Sequence, residues 1–206
     1  MSRVVSVTLF ILVFALVSVG LYVRYAQGES MPYSGGFTVE IDTDIGVGSG
    51  FYIGDGYVIT ANHVVEGVET GKIITDMGAF RAFTVMWRNE DLDIALILVD
   101  EPINLTSIDI DCSPPDNEAV VMHGLPHGID FVAIPASIGT REYRDVPAAG
   151  GEVKWKVLVL VSTEASPGMS GGPVVDRDGN VVAVIVGGGD GSSVAVPAQE
   201  VCKLLP

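Results

Sequence analysis

Positive charge is scarce in this chain. Lys and Arg together number 11 against 26 Asp and Glu, a net charge of −15 over 206 residues. A field of that sign argues against nucleic acid as a partner and would repel anionic lipid headgroups. Cysteine is nearly absent. Cys112 and Cys202 are the only two, with no CxxC and no Cys/His spacing suited to a metal. They read as free buried thiols; pairing would require the segment around Cys112 to lie beside the C-terminal helix. No sequence repeat is evident, and the length suits one compact domain with an appendage rather than two full domains.

Apolar residues, by contrast, make up 48% of the chain, and there are 25 glycines and 11 prolines, a balance that suits a turn-rich β protein. Part of the apolar content sits in residues 4–23, which carry no charge. At about 1.5 Å per residue such a run crosses a bilayer's hydrocarbon core. A cleaved signal peptide has a shorter apolar run, although Ala26-Gln27-Gly28 would serve weakly as its cleavage site. Length favours a single-pass transmembrane anchor over residues 1–24. Arg3 and Arg24 flank it one on each side, so charge barely decides its orientation. Residues 25–36 are polar, hold Pro32 and a Gly pair, and read as a linker.

Strand-like alternation begins at residues 38–42 and recurs near 50–53, 57–60, 72–75, 80–87 and 94–98, with Asp55-Gly56 as a hairpin signal. Residues 102–117 lack a periodic pattern, hold Pro114-Pro115, and read as a connector. A second strand set follows near 119–124, 131–138, 153–161, 173–175, 181–186 and 193–196. Pro197 then opens a short helix over 198–205. Residues 140–151, with Arg141, Arg144 and Asp145, read as a long polar loop between strands, either functional or equally a floppy hairpin tip.

Three stretches carry chemistry. In S-P-G-M-S-G-G-P (166–173), Ser170 stands among glycines that permit positive φ and close backbone approach. Such a bend can present a hydroxyl and aim backbone N–H groups at one point. In Y-V-I-T-A-N-H-V-V (57–65), His63 follows an apolar strand, where an imidazole titrating near neutrality can act as a base. In D-L-D-I-A-L-I-L (91–98), Asp91 and Asp93 lie on one side of an extended segment, and spacing alone does not choose between them.

G-S-G-F (48–51), I-T-A-N-H-V-V (59–65), D-I-A-L-I (93–97) and P-G-M-S-G-G-P-V (167–174) together resemble the trypsin-like serine proteases, nearest the bacterial Do/HtrA-like branch. The order His, Asp, Ser is that of chymotrypsin. The likeness runs from about Thr38 to Leu205 and shows no room for the PDZ module such proteins usually carry. It implies an all-β fold: two six-stranded antiparallel β-barrels (about 37–101 and 118–197) with the active site in the cleft between them, and a protease domain over 37–206.

The resemblance also assigns residues. Ser170 becomes the nucleophile, His63 the general base and Asp93, where D-I-A-L-I starts, the acid that orients it; Asp91 is then a turn residue. Backbone N–H groups of Gly168 and Ser170 form the oxyanion hole. Ala165, Ser166, Ile185, Val186, Gly187 and Gly188 line an apolar specificity pocket, unless Glu164 forms its floor and selects Lys or Arg. Gly48, Ser49 and Gly50 are structural. Met169 replaces the Asp that digestive relatives pair with a freed N-terminus, so no clipping is expected and the 140–151 loop is the expected support of the oxyanion loop.

His123 and His127 read as turn-side residues rather than a metal pair, Asp176 to Asn180 as a hairpin turn rather than a calcium loop, and Asn104-Leu105-Thr106 as a glycosylation sequon. No metal or cofactor is expected. The leading function is a membrane-anchored serine endopeptidase, its domain on the extracytoplasmic side, acting on protein or peptide substrates that include unfolded chains. The alternatives are a catalytically silent protease-like binding module at the membrane and an esterase with the same machinery. A homo-oligomer, common among Do/HtrA-like proteins, stays open.

Overall fold

A computed structural model describes residues 36–114, 119–148, 151–161, 163–189 and 191–205. The expected transmembrane segment at 4–23 and all of the 25–36 linker but Gly36 lie outside the described residues. Among the described residues no helix is long and apolar enough to cross a membrane.

Six strands form the first barrel: β1 (Thr38–Thr43), β2 (Gly46–Gly54), β3 (Tyr57–Ala61), β4 (Thr70–Thr75), β5 (Phe80–Asn89) and β6 (Ile94–Val99). They close in the order β1-β2-β3-β6-β5-β4. The β2–β3 turn is set by Asp55 and Gly56, at φ 51° and 84°, both positive as a two-residue hairpin turn that follows the strand twist requires. The second barrel holds β7 (Ala119–Gly124), β8 (Val132–Ala148), β9 (Gly151–Val161), β10 (Pro173–Val175), β11 (Val181–Gly189) and β12 (Ser192–Pro197). It closes as β10-β11-β12-β9-β8-β7, the first barrel's path repeated six strands on, without a repeat in the sequence.

One hydrophobic cluster runs from the first barrel into the second. Phe51, Ile59, Phe83 and Ile97 are fully or almost fully buried in it together with Val184 and Val186 of β11. A second cluster fills the other barrel around Met122, Val182 and Ile185. β11 therefore buries both of its faces, which is why its sequence, V-V-A-V-I-V, is continuously apolar rather than alternating. Burying apolar area on this scale is the main source of stability, about 25 cal/mol per Å² removed from water.

The expected 140–151 loop is corrected. β8 runs to Ala148 and β9 starts at Gly151, so most of this polar segment is a strand ribbon. Its backbone partners run from Arg144↔Val157 to Ala148↔Gly151. Register shifts between Ile138 and Arg144 break the alternation that would have marked the strand in the sequence.

The free-thiol reading is also overturned: Cys112 and Cys202 form a disulfide. The connector explains it. Ile110 makes a parallel bridge to Val181, Val181 N–H donates to Asp109 C=O and Asp111 N–H donates to Val181 C=O. That pairing carries Cys112 to the end of helix α1 (Ala198–Cys202). The helix is shorter than the 198–205 expected, because Leu204 N–H turns back to Val201 C=O in a tighter last turn.

Candidate active site

The register of β3 and β6 pairs Ala61 with Ile94, so the residues just beyond each strand end meet. Asn62 N–H donates to Asp93 C=O at 2.9 Å. The chain leaves β3 in a 3₁₀ turn, Asn62–Val64, that carries His63 at its middle. His63 N–H donates to Asp93 Oδ1 at 2.8 Å, and His63 Nδ1 lies 2.6 Å from Asp93 Oδ2. Asp93 is 3% exposed and has φ 56°, a left-handed backbone that an Asp tolerates better than most residues. Asp91 is exposed. The imidazole itself is 40% exposed, so its Nε2 edge is open to a ligand while Nδ1 is tied to the acid.

Ser170 is half-buried in the turn that precedes β10. Its neighbour Gly171 brings it to the first barrel. A Cβ at Gly171, φ 85°, would collide with Ser49 C=O and with Thr60 Oγ1 and lie 2.7 Å from Ala61 N. Ser170 therefore stands beside the end of β3, and Ala61 is two residues before His63. Ser49 N–H donates to Ser170 C=O at 2.7 Å, and Gly171 N–H to Ile185 C=O at 2.7 Å.

The oxyanion candidates are oriented by the carbonyls next to them. A trans peptide points its C=O and N–H in opposite directions. Pro167 C=O accepts from His127 N–H at 2.6 Å, which turns the Gly168 N–H outward. Met169 C=O accepts from Gly172 N–H at 3.0 Å, which does the same for the Ser170 N–H. Gly168 has φ 94°, and a Cβ there would strike Leu125 C=O. Met169 is fully buried in the second barrel's core and anchors the loop from within.

Gly168 is contacted by Ser49, Leu125 and the 3₁₀ turn Pro126–Gly128. Ser49, read as merely structural, is a link that sequence reasoning missed. Its one available signal was a small polar residue between two glycines, in what proves to be the buried middle of the strand.

Of the expected pocket residues, Ala165 is fixed by its N–H on Ser193 Oγ at 2.9 Å, and Ser193 Oγ donates to Thr163 C=O at 2.6 Å. Gly188 lies against Ala165, where a Cβ would sit 2.7 Å from its C=O, while Gly187 faces open space and Ser166 is half-buried. Ile185 and Val186 send their side chains into the two cores, so a pocket wall there would be backbone. Glu164 is exposed, its Oε2 accepting Gly191 N–H at 3.3 Å in the β11–β12 turn, rather than buried on a floor.

His127 does lie on a turn, at φ 56°. His123 does not: it sits in β7, 6% exposed, its ring 5.1 Å edge-on from Phe37, and burial lowers its pKa to about 4. Asp176 closes the β10–β11 hairpin by accepting N–H groups of Asp178 and Asn180 at 2.9 and 2.8 Å.

Two closed β-barrels, with an imidazole–carboxylate pair at the edge of one and a glycine-framed serine loop from the other beside it, define a double-barrel fold of the chymotrypsin type. The chain belongs to the family of the trypsin-like peptidase domain, whose model matches residues 48–184. It is similar to Do/HtrA-type proteins: 29% identical over 163 residues to a probable periplasmic serine endoprotease DegP-like of Bartonella henselae, covering 75% of this chain and 31% of the relative. It is 33% identical over 164 residues to the putative serine protease HhoB of Synechocystis sp., covering 75% and 38%. The chain thus spans about a third of the length of these curated relatives. Among solved structures it resembles the inactive form of the Rv3671c protease, with TM-score 0.71, 26% identity, and 81% and 85% of the two chains covered.

Proposed function

We propose that this protein is a serine endopeptidase in which Ser170 attacks the peptide carbonyl, His63 takes and returns the proton, and Asp93 holds the imidazole. The observation that carries the reading is the double attachment of His63 to Asp93, by backbone N–H and by Nδ1. A ring fixed through Nδ1 leaves Nε2 as the free base, and an adjacent carboxylate stabilises the imidazolium formed when Ser170 gives up its proton. The acyl-enzyme that follows is released by water activated by the same base. No metal enters this scheme. Developing negative charge on the substrate oxygen is met by the Gly168 and Ser170 N–H groups, each worth about 3 kcal/mol in such sites.

Residues 4–23 are proposed to remain as a single-pass anchor, with residues 25–36 as linker and the protease domain on the extracytoplasmic side. Substrates are proteins or peptides, and unfolded chains suit a cleft that must take an extended segment. Activity requires no N-terminal clipping, since Met169 is an apolar anchor and cannot pair with a freed amine. The test is hydrolysis of an unfolded protein by the full chain. Cleavage by intact protein and its loss in Ser170→Ala support the reading; binding without cleavage would make the protein a silent module instead. Alkaline carbonate extraction tests the anchor: intact protein should stay in the membrane pellet, and a soluble form beginning near Gly28 would refute it.

A further inference from the structure

We propose that Ser49 is a positioning residue for the oxyanion site, acting through its hydroxyl on Gly168. This inference rests on the serine endopeptidase reading above and extends it to a residue outside the triad. Ser49 is fully buried and belongs to β2 of the first barrel, yet its hydroxyl and its backbone N–H bond to the second. Its Oγ donates to Gly168 C=O at 2.7 Å and accepts from Leu125 N–H at 3.0 Å. Its backbone N–H holds Ser170 C=O at 2.7 Å, and its own C=O accepts from Thr60 Oγ1 at 2.7 Å.

Gly168 lies between two peptide planes. The one before it is held at Pro167 C=O by His127 N–H, and the one after it at its own C=O by Ser49 Oγ. Glycine at φ 94° has no side chain to resist rotation. The second plane is held at its other end too, where Met169 N–H donates to Ser166 C=O at 3.0 Å, so the direction of the Gly168 N–H is set by these three hydrogen bonds. Removing the hydroxyl takes away one of the second plane's two holds, leaving Met169 N–H on Ser166 C=O, and strips the buried Leu125 N–H of its acceptor, so the turn that carries His127 loosens as well. The holds on both planes weaken at once. The backbone bond from Ser49 to Ser170 survives, so the nucleophile stays in place while one oxyanion donor loses its aim.

A donor that no longer meets the oxyanion affects the transition state more than substrate binding. The experiment compares full-length wild type, Ser49→Ala, Ser49→Thr and Ser49→Cys for peptide hydrolysis and for inhibition by a peptidyl aldehyde, whose hemiacetal oxygen imitates the oxyanion. Ser49→Ala should lower kcat about 10- to 100-fold with KM within about threefold, and aldehyde affinity should fall in parallel. Ser49→Thr keeps the hydroxyl and should recover most of kcat; Ser49→Cys, a weak donor of similar size, should fall between. Wild-type kcat in an active-protein background with Ser49→Ala would overturn the inference. So would equal losses in Ala, Cys and Thr accompanied by a matching fall in thermal transition, which would mark a packing role only. Wild type lacking turnover would overturn the endopeptidase reading itself, and this inference with it.

Discussion

His63 is bound to Asp93 twice, through its backbone N–H at 2.8 Å and its ring Nδ1 at 2.6 Å. One carboxylate therefore fixes both where the histidine begins and which way its ring faces. The two residues are 30 apart in sequence and become neighbours because β3 and β6 pair with Ala61 opposite Ile94.

Asp93→Asn should lower kcat by about 10⁴-fold, because an amide in place of the carboxylate favours the wrong imidazole tautomer and no longer stabilises the cation. Asp91→Asn, at an exposed position, should leave kcat within about twofold. Steady-state kinetics of the two variants decide between the acids.

The triad should behave as one unit. Ser170→Ala and His63→Ala should each remove about 10⁴-fold or more of kcat, and the double variant should lose little beyond either. Additive losses, seen in turnover assays of all three, would mean that the two side chains do not share a step.

The strands and the serine loop were legible from local pattern, in alternation, turn residues and glycines, whereas the closing of the strands into two barrels was implied by the family resemblance. The choice of Asp93 over Asp91 needed the family motif: an extended segment would put both on one side, but residues 90–93 form a turn in which Asp93, at φ 56°, is buried against His63 and Asp91 is exposed. The Cys112–Cys202 bond was not legible, because it depends on the connector pairing with Val181, a contact between segments far apart in sequence. The same holds for Ser49, whose partners at Leu125 and Gly168 lie 76 and 119 residues away. Nor does the sequence say which side chains of β11 face a site, because the strand buries both faces and reads as a continuous apolar run.

Reducing the disulfide should cost stability without reordering the site. It closes a loop between residues 90 apart, for which chain entropy gives about 4.6 kcal/mol. Thermal unfolding of Cys112→Ser;Cys202→Ser should therefore show a transition lower by several degrees, and an unchanged transition would show that the bond adds nothing.

Burial of His123 should make stability depend on pH. Its folded pKa, about 4, is below the usual 6.5, so the unfolded chain binds more protons between these values. The contribution is fully present above about 6.5 and is lost progressively as pH falls towards 4, by about 3 kcal/mol in all. Denaturant unfolding of wild type and His123→Phe from pH 4 to 7 should give a shallower slope for the variant. Parallel slopes would place the acid sensitivity elsewhere.

The specificity pocket should take a small or medium apolar side chain, because Ala165 and the open Gly187 offer no charge and Glu164 is engaged by Gly191 N–H outside. A peptide library should show that preference, unchanged in Glu164→Gln. Selection of Lys or Arg, abolished by that substitution, would refute it.

The central claim is that Ser170 is an activated nucleophile, and labelling by a fluorophosphonate probe followed by mass spectrometry tests it most directly. The predicted result is one adduct per chain, located on Ser170, absent in Ser170→Ala and strongly slowed in His63→Ala. An unlabelled wild-type protein, or an adduct that persists in Ser170→Ala, would contradict it.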